Sequence, residues 1–328
     1  MVFLLQNTFV FTIPLLIVAL AGMFAERSGI INIALDGIMI FGSFTGALTA
    51  SVLRNDPFFV DHSQLTFLLA LLVATVSGAL FSLLLSFSAI NLKADQTIGG
   101  TALNLLAPAI ALFFTKVLFH KDSLEMTAAR NSEGRPKGIQ YALINEDMGP
   151  VGRIFFDKAY ISTFIAIALF IILSIWIYKT KTGLRLRACG EHPQAAASVG
   201  INVKRMRYIG TTMSGALAGF GGYTFIATTA NGTASGNVAG MGFLALAIMI
   251  FGNWKPVGIA LGSLLFGFLK CLSVISNSSD YTFLKNLGLP MYFYNIIPYA
   301  AVLLVLAFTS KRSRAPKAEG IPYDKGMR

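Results

Sequence analysis

The twenty residues AYISTFIAIALFIILSIWIY, numbered 159–178, contain no charged side chain and lead directly into the basic sequence KTKTGLRLR, numbered 179–187. An α-helix needs about 20 apolar residues to cross the roughly 30 Å hydrocarbon core of a bilayer. Lysine and arginine collect in loops that stay on the cytoplasmic side of a membrane. This junction therefore predicts a transmembrane helix that ends at a cytoplasmic loop.

The composition extends this interpretation to the whole chain. Of its 328 residues, 55% are hydrophobic and only 12% are charged. Soluble domains carry about 25% charged residues, so this chain has too little charge to cover a soluble surface of its size. We attribute the net charge of +11 to basic cytoplasmic loops and expect no nucleic-acid partner. The reason is that no basic patch is interleaved with aromatic residues, as single-strand binding requires.

Apolar segments along the chain predict an all-α fold, a polytopic membrane helical bundle of about nine spans with one short or broken helix. The predicted spans are 3–24, 30–53, 65–90, 97–119, 159–178, 208–228, 241–253, 256–276 and 291–309. The seventh is short, and the sequence GNWKP interrupts it at 252–256. A helix broken within a membrane is tolerated only where protein or a water-filled path surrounds it.

Two basic regions predict the orientation. Both the loop 179–207 and the segment 311–328 contain more Lys and Arg than Asp and Glu. Four predicted spans separate them, and because this number is even, one orientation places both regions in the cytoplasm. We therefore expect a transmembrane domain over 1–310, a basic cytoplasmic tail over 311–328 and an N-terminus outside the cell.

The sequence gives no indication of an enzyme. His62, His120 and His192 are far apart and lack the spacing of a helical metal site. No G-x-x-x-x-G-K-[ST] phosphate loop is present, so we expect the chain itself not to bind ATP by that means. No nucleophile and base set is recognisable either. We expect no catalytic residue, no metal site and no cofactor in this chain.

Polar side chains within the predicted spans are candidates for a transport path, because a polar group is costly inside a membrane. The candidates are Asn32, Asp36, Gln96, Thr97, Thr101 and Asn104. Asn32 and Asp36 are four residues apart, which predicts one helical face. The last three candidates also follow helical spacing and predict a polar face that points into the bundle. Contact with a substrate and contact with neighbouring helices both remain open.

The loop 179–207 contains a predicted short helix. Pro193 suits a first helical turn, the alanines after it favour helix, and Gly200 suits the position just past a helix end. Such a helix would suit docking to a cytoplasmic partner; the alternative is a basic loop that only orients the chain in the membrane. The candidate contact residues are Glu191, His192, Pro193, Gln194, Ala195, Ala196 and Gly200.

These segments resemble those of a known family. The sequence from Gly183 to Asn202 resembles the cytoplasmic coupling loop of ABC importer permeases, in the branch that includes ribose and branched-chain amino acid permeases. AERSGIINIALDG at 25–37 is similar to the GERSGVVNIGLEG signature of its nucleoside and simple-sugar subgroup. Ala25 replaces the first glycine of that signature, and Asp36 replaces the glutamate. Further matching segments are ADQTI at 94–98, ALNLL at 102–106 and FGNWKP at 251–256.

The resemblance implies a permease subunit that forms part of a path for nucleosides across a bacterial plasma membrane. It implies a second permease subunit, a cytoplasmic ABC ATPase that binds the ATP, and an external substrate-binding protein, often a lipoprotein. Membrane lipid would surround the bundle. The helix near 191–200 would be the coupling helix that contacts the ATPase.

Two other functions remain open at this point. The first is an ABC permease for ribose or another simple sugar, because sugars and nucleosides both favour amides, hydroxyls and aromatic rings in a binding path. The second is a secondary transporter that works without ATP. Such transporters often couple ions through ionisable residues within the membrane. Only Asp36, Lys116 and Lys270 are candidates for that role, which favours an ATP-driven importer.

Overall fold

Long helices form the fold in the computed structural model, which describes residues 2–126, 140–141, 159–275, 291–309 and 314–324. The helices are α1 Val2–Arg27, α2 Leu35–Leu53, α3 Pro57–Asp61, α4 Ser63–Ile90, α5 Gln96–Phe119, α6 Ile161–Lys179, α7 Lys181–Glu191, α8 Pro193–Ser198, α9 Val203–Thr228, α10 Met241–Phe251, α11 Pro256–Ile275 and α12 Met291–Thr309. The strands are β1 Leu124–Glu125, β2 Gln140–Tyr141, β3 Ala159–Tyr160 and β4 Thr233–Ala234.

The four short strands form two antiparallel pairs. Strand β1 pairs with β4, which joins the end of α5 to the connection between α9 and α10. Strand β2 pairs with β3, immediately before α6. The β1–β4 ladder connects neighbouring ends of helices, and the all-α prediction holds for the body of the protein.

Six helices of the described chain are long and apolar enough to cross a membrane, namely α1, α2, α4, α5, α6 and α11. A polytopic helical bundle therefore fits, but the predicted number of about nine spans is not confirmed. Of the other predicted spans, 208–228 lies within α9, which is rich in glycine and hydroxyl residues, and 291–309 coincides with α12. The predicted short helix is confirmed, because α10 has only 11 residues.

Helices α1, α2, α4 and α9 form the centre of the bundle. In the most apolar part of α1, 89% of the residues are buried, against 22% in α5 and in α6. Glycine allows the central helices to approach closely, since a Cβ added to Gly42 would lie 2.5 Å from the Cα of Gly219. A Cβ on Gly78 would lie 2.5 Å from the carbonyl oxygen of Gly215. Small residues at such contacts let membrane helices pack backbone against backbone.

The second predicted span begins later than expected. The sequence predicted a span over 30–53, but α2 begins at Leu35, and residues 28–34 form no helix. Gly29 has a φ of +95°, a backbone conformation that ends α1 and that residues with a Cβ rarely adopt. The prediction that Asn32 and Asp36 share one helical face is therefore wrong, because Asn32 lies in this break between two helices.

Candidate functional site

Amide side chains of α5 hold the break between α1 and α2. The Gln96 side-chain oxygen accepts a hydrogen bond from the Ile31 N–H at 2.7 Å. The Asn104 side chain accepts from the Gly37 N–H at 2.7 Å and donates to the Ile33 carbonyl at 2.9 Å. Unpaired backbone groups in an apolar membrane cost several kcal/mol each. The two amides form hydrogen bonds with backbone groups at the break, which have no partner within a helix there.

The other two candidates of this region connect it to α9 and α10. The buried Asn32 amide donates to the Ser214 hydroxyl at 2.8 Å, near the middle of α9. The half-buried Asp36 carboxylate accepts from the Gly242 N–H at 2.9 Å, in the first turn of α10. Gly240, at the N-cap of α10, has no side chain to fill this role. Asp36 thus caps the N-terminus of a helix that is remote in sequence. A negative charge is favoured at a helix N-terminus.

The two threonines point elsewhere. Thr97 and Thr101 are exposed, and the Thr101 hydroxyl donates to the Thr97 carbonyl at 2.8 Å within α5. The same side of α5 exposes Ile98 and Leu105, with 71% and 72% of their surface accessible. The prediction that the whole polar face points into the bundle is wrong for these threonines. They lie on the outer face of α5, which is open to lipid or to another subunit.

A pair of short helices leaves the bundle between α6 and α9. Helix α7 begins after Thr180, whose hydroxyl accepts from the Gly183 N–H at 3.1 Å. The non-helical backbone of His192 separates α7 from α8, which has Pro193 in its first turn. Gly200, just past the end of α8, has a φ of +83°. The predicted short helix, its proline start and its glycine end are all confirmed.

One side of α8 is bound to the protein and the other is free. Pro193 and Ala196 are buried. Ala196 belongs to a small apolar cluster with Cys189, Val203 and Tyr323. The exposed residues of this region are His192, Gln194, Ala195, Ser198, Val199 and Gly200. A helix anchored on one side, with small and polar side chains on the other, presents a rigid surface to a partner.

Contacts at the end of α1 connect α7 to the short helix α10. The Arg27 guanidinium lies 3.6 Å from the half-buried Glu191 carboxylate at the end of α7. It also donates to the Trp254 carbonyl at 3.0 Å, in the loop that follows α10. The Trp254 indole N–H donates to the buried Glu26 carboxylate at 2.5 Å. All four of these residues lie in motifs that the sequence analysis identified. Their positions along the chain did not indicate that the side chains meet.

The structure shows no metal-binding arrangement in the part of the chain that it describes. Within those residues, no group of three or more His, Cys, Asp or Glu side chains lies close enough to hold a metal ion. Four of the polar candidates form hydrogen bonds with other helices or with the break between α1 and α2, namely Asn32, Asp36, Gln96 and Asn104. The arrangement therefore suits a protein that holds broken helices in a membrane and presents a docking helix.

Comparisons with known proteins agree with this arrangement. A family model described as the permease component of branched-chain amino acid transport systems matches residues 4–306. The guanosine ABC transporter permease protein NupQ of Bacillus subtilis is 40% identical over 321 residues, 98% of this chain and 96% of NupQ. The nucleoside ABC transporter permease protein NupC of Lactococcus lactis is 35% identical over 322 residues, with the same coverage of both chains.

No solved structure matches the chain. The family model covers nearly all of the residues, and both relatives exceed 30% identity over almost their whole length. The chain therefore belongs to the family of permease components of branched-chain amino acid transport systems, and it is a membrane transport permease, not an enzyme.

Proposed function

We propose that the chain is the nucleoside-translocating permease subunit of an ATP-driven importer in a bacterial plasma membrane. One observation carries the substrate class: the chain is similar, over 98% of its length, to two permeases that are named for guanosine and for nucleosides. The family implies ATPase and substrate-binding partners. We propose that these are a cytoplasmic ABC ATPase and an external binding lipoprotein, and that a second permease subunit completes the path.

The exposed side of α8 is the proposed contact for the ATPase. His192, Gln194 and Ala195 would lie in the ATPase groove, while the buried Ala196 keeps α8 attached to the bundle. Helix α8 is then the coupling helix of the loop 179–207 and lies in the cytoplasm. The C-terminal residues lie on the same side, and the N-terminus lies outside.

The contacts described above give a route from α8 to the membrane path. A displacement of α8 would reach Arg27 through Glu191 and would reach the loop after α10 through Trp254. The other end of α10 is capped by Asp36, at the break between α1 and α2. ATP shifts this assembly between two states only if it binds them with different affinity. Membrane transporters often place broken and half-length helices at their substrate path.

The proposed path runs along the outer face of α5. Thr97 and Thr101 offer exposed hydroxyls on that face, which suit the uncharged, polar groups of a nucleoside. Asn32, Gln96 and Asn104 lie behind it and shape the wall through their hydrogen bonds. The second permease subunit would cover the same face, so that the path forms at the interface between the two subunits.

Uptake of labelled substrates tests the substrate class. The permease, its ATPase, its binding protein and its second permease would be produced in cells that lack nucleoside uptake. We expect accumulation of labelled guanosine and uridine, and we expect labelled ribose to stay at background. An excess of unlabelled nucleoside should remove the signal, whereas an excess of unlabelled ribose should not. Accumulation of ribose alone would contradict the proposal and would indicate a sugar permease.

A further inference from the structure

The segment Arg314–Asp324, which we call the C-terminal strap, forms polar contacts with five separate parts of the protein. The Ala318 N–H donates to the Gly190 carbonyl in α7 at 2.9 Å, and the Arg314 N–H donates to Asn253 Oδ1 after α10 at 2.9 Å. The Ile321 carbonyl accepts from Arg207 Nη1 in α9 at 2.9 Å. Asp324 Oδ2 accepts from Lys93 Nζ, after α4, at 2.6 Å. The fifth part is α1, through Glu319 and Glu26. A merely solvated basic tail would form few of these contacts.

The strap also fills the space beneath α8. Tyr323 is only 7% exposed and packs in the cluster that contains Ala196 of α8 and Cys189 of α7. At its other side the strap touches the break between α1 and α2, because a Cβ added to Gly320 would lie 2.7 Å from Cδ1 of Ile31. The strap therefore lies between α8 and the break between α1 and α2.

A buried arginine binds the strap. Arg207 is 1% exposed, which is rare for arginine unless it has a partner. Of its three guanidinium nitrogens, only Nη1 has a hydrogen-bond partner among the described residues, and this partner is the Ile321 carbonyl of the strap. A Cβ on Gly29 would lie 2.9 Å from Nη2 of Arg207 and 3.3 Å from the Ala318 carbonyl. The guanidinium thus joins α9, the strap and the start of the break.

An acidic contact joins the strap to α1. The Glu319 carboxyl group is in hydrogen-bond contact with the Glu26 carboxyl group of α1. Burial raises the pKa of Glu319, while this hydrogen bond and the positive charge of Arg27 act in the opposite direction. Glu26 also accepts the Trp254 indole N–H. The strap is therefore part of the contact between α1 and the loop after α10.

We propose that the C-terminal strap is a positioning segment for transport, which makes α8 move together with the end of α1 and with the loop after α10. This inference rests on the proposed function. Helix α8 has only six residues, and the non-helical backbone at His192 separates it from α7. Its buried residue Ala196 packs in one cluster with Tyr323. The route through Glu191 and Arg27 does not use the strap. The strap adds a packed contact to this route, and without it we expect less of a displacement of α8 to reach α10.

The test compares Tyr323→Ala with Tyr323→Phe in the complete transporter, reconstituted in lipid vesicles. The measured quantity is the amount of guanosine imported per ATP hydrolysed. Tyr323→Ala removes the ring beneath α8, so we expect this ratio to fall about fivefold or more while ATP hydrolysis continues. Tyr323→Phe keeps the ring and should keep the wild-type ratio. An unchanged ratio in Tyr323→Ala would overturn the proposal and leave the strap a purely structural element.

A second variant covers the case in which Tyr323→Ala does not fold. Asn253 has a φ of +54°, which glycine also adopts readily, and its side chain accepts the Arg314 N–H. Asn253→Gly therefore releases one end of the strap without backbone strain. We expect the same fall in guanosine imported per ATP, to a smaller extent. If the folded Asn253→Gly transporter imports as much guanosine per ATP hydrolysed as the wild type, the proposal that the strap is a positioning segment is contradicted.

Labelling of Cys189 separates a failure of this inference from a failure of the proposed function. Its thiol is buried beneath the strap, and burial raises its pKa to about 11, so it should react slowly with a maleimide. With Cys271 replaced by serine, we expect slow labelling with and without ATP in the wild type. In Tyr323→Ala, we expect labelling that becomes faster when ATP is added. Labelling of Tyr323→Ala that ATP does not accelerate would overturn the strap proposal, whereas absence of guanosine import by the wild type would contradict only the proposed substrate.

Discussion

Replacement of Ala196 by proline is expected to reduce nucleoside uptake to background while the permease still inserts into the membrane in normal amounts. The Ala196 N–H donates to the His192 carbonyl at 3.0 Å, and this is a hydrogen bond of the first turn of α8. Proline has no N–H, and its ring collides with the carbonyl four residues earlier, which costs about 3 kcal/mol or more in a helix. A helix of six residues has no neighbouring turns to absorb this loss.

The measurement is uptake of labelled guanosine, normalised to the amount of permease in the membrane. Ala196→Ser is the matched control, because it keeps the N–H and nearly the same volume, and it should retain most of the uptake. The loss should be confined to coupling, since α8 lies outside the helices that cross the membrane. Normal uptake by Ala196→Pro would rule out α8 as the docking element.

Replacement of Asn104 by leucine is expected to destabilise the break between α1 and α2. The side chain of Asn104 forms hydrogen bonds with two backbone groups, the Gly37 N–H and the Ile33 carbonyl. Leucine has a similar volume but cannot form a hydrogen bond, so both groups lose this partner. Each buried group without a partner costs ~1–3 kcal/mol. We therefore expect a clearly lower thermal unfolding midpoint for the purified permease, together with reduced uptake.

Thr101→Val is the control for this variant. It lies on the same helix and keeps the β-branched shape. Among the residues that the structure describes, the hydroxyl that it removes is bonded only to the Thr97 carbonyl of its own helix. Its thermal unfolding midpoint should stay close to that of the wild type. Equal midpoints for Asn104→Leu and Thr101→Val would show that the amide does not hold the break.

Local sequence patterns were sufficient for the helices but not for the break. Hydropathy over about 20 residues predicted spans that lie within a few residues of α1, α4, α5, α6 and α11, because the length of a crossing is set by the bilayer. The short helix α10 followed from GNWKP at 252–256 in the same way. Residues 30–34, in contrast, are apolar or small apart from Asn32, and they resemble the start of a span.

The partners of the polar residues could not be predicted, because they are distant in sequence. Asp36 meets Gly242, and Asn32 meets Ser214; no local pattern records either contact. Helical spacing placed Thr97 and Thr101 on one face but gave no information on where that face points. The excess of Lys and Arg after residue 310 predicted a basic tail, and charge alone did not indicate that Tyr323 packs beneath α8.

We propose that ATP hydrolysis by a partner drives nucleosides through this permease. The most direct measurement is uptake of labelled guanosine by cells with the complete transporter, compared with cells whose ATPase subunit carries a substitution that abolishes hydrolysis. We predict uptake in the first cells and only background in the second, at equal amounts of permease in the membrane. Uptake that persists without ATP hydrolysis would contradict the account and would indicate a secondary transporter.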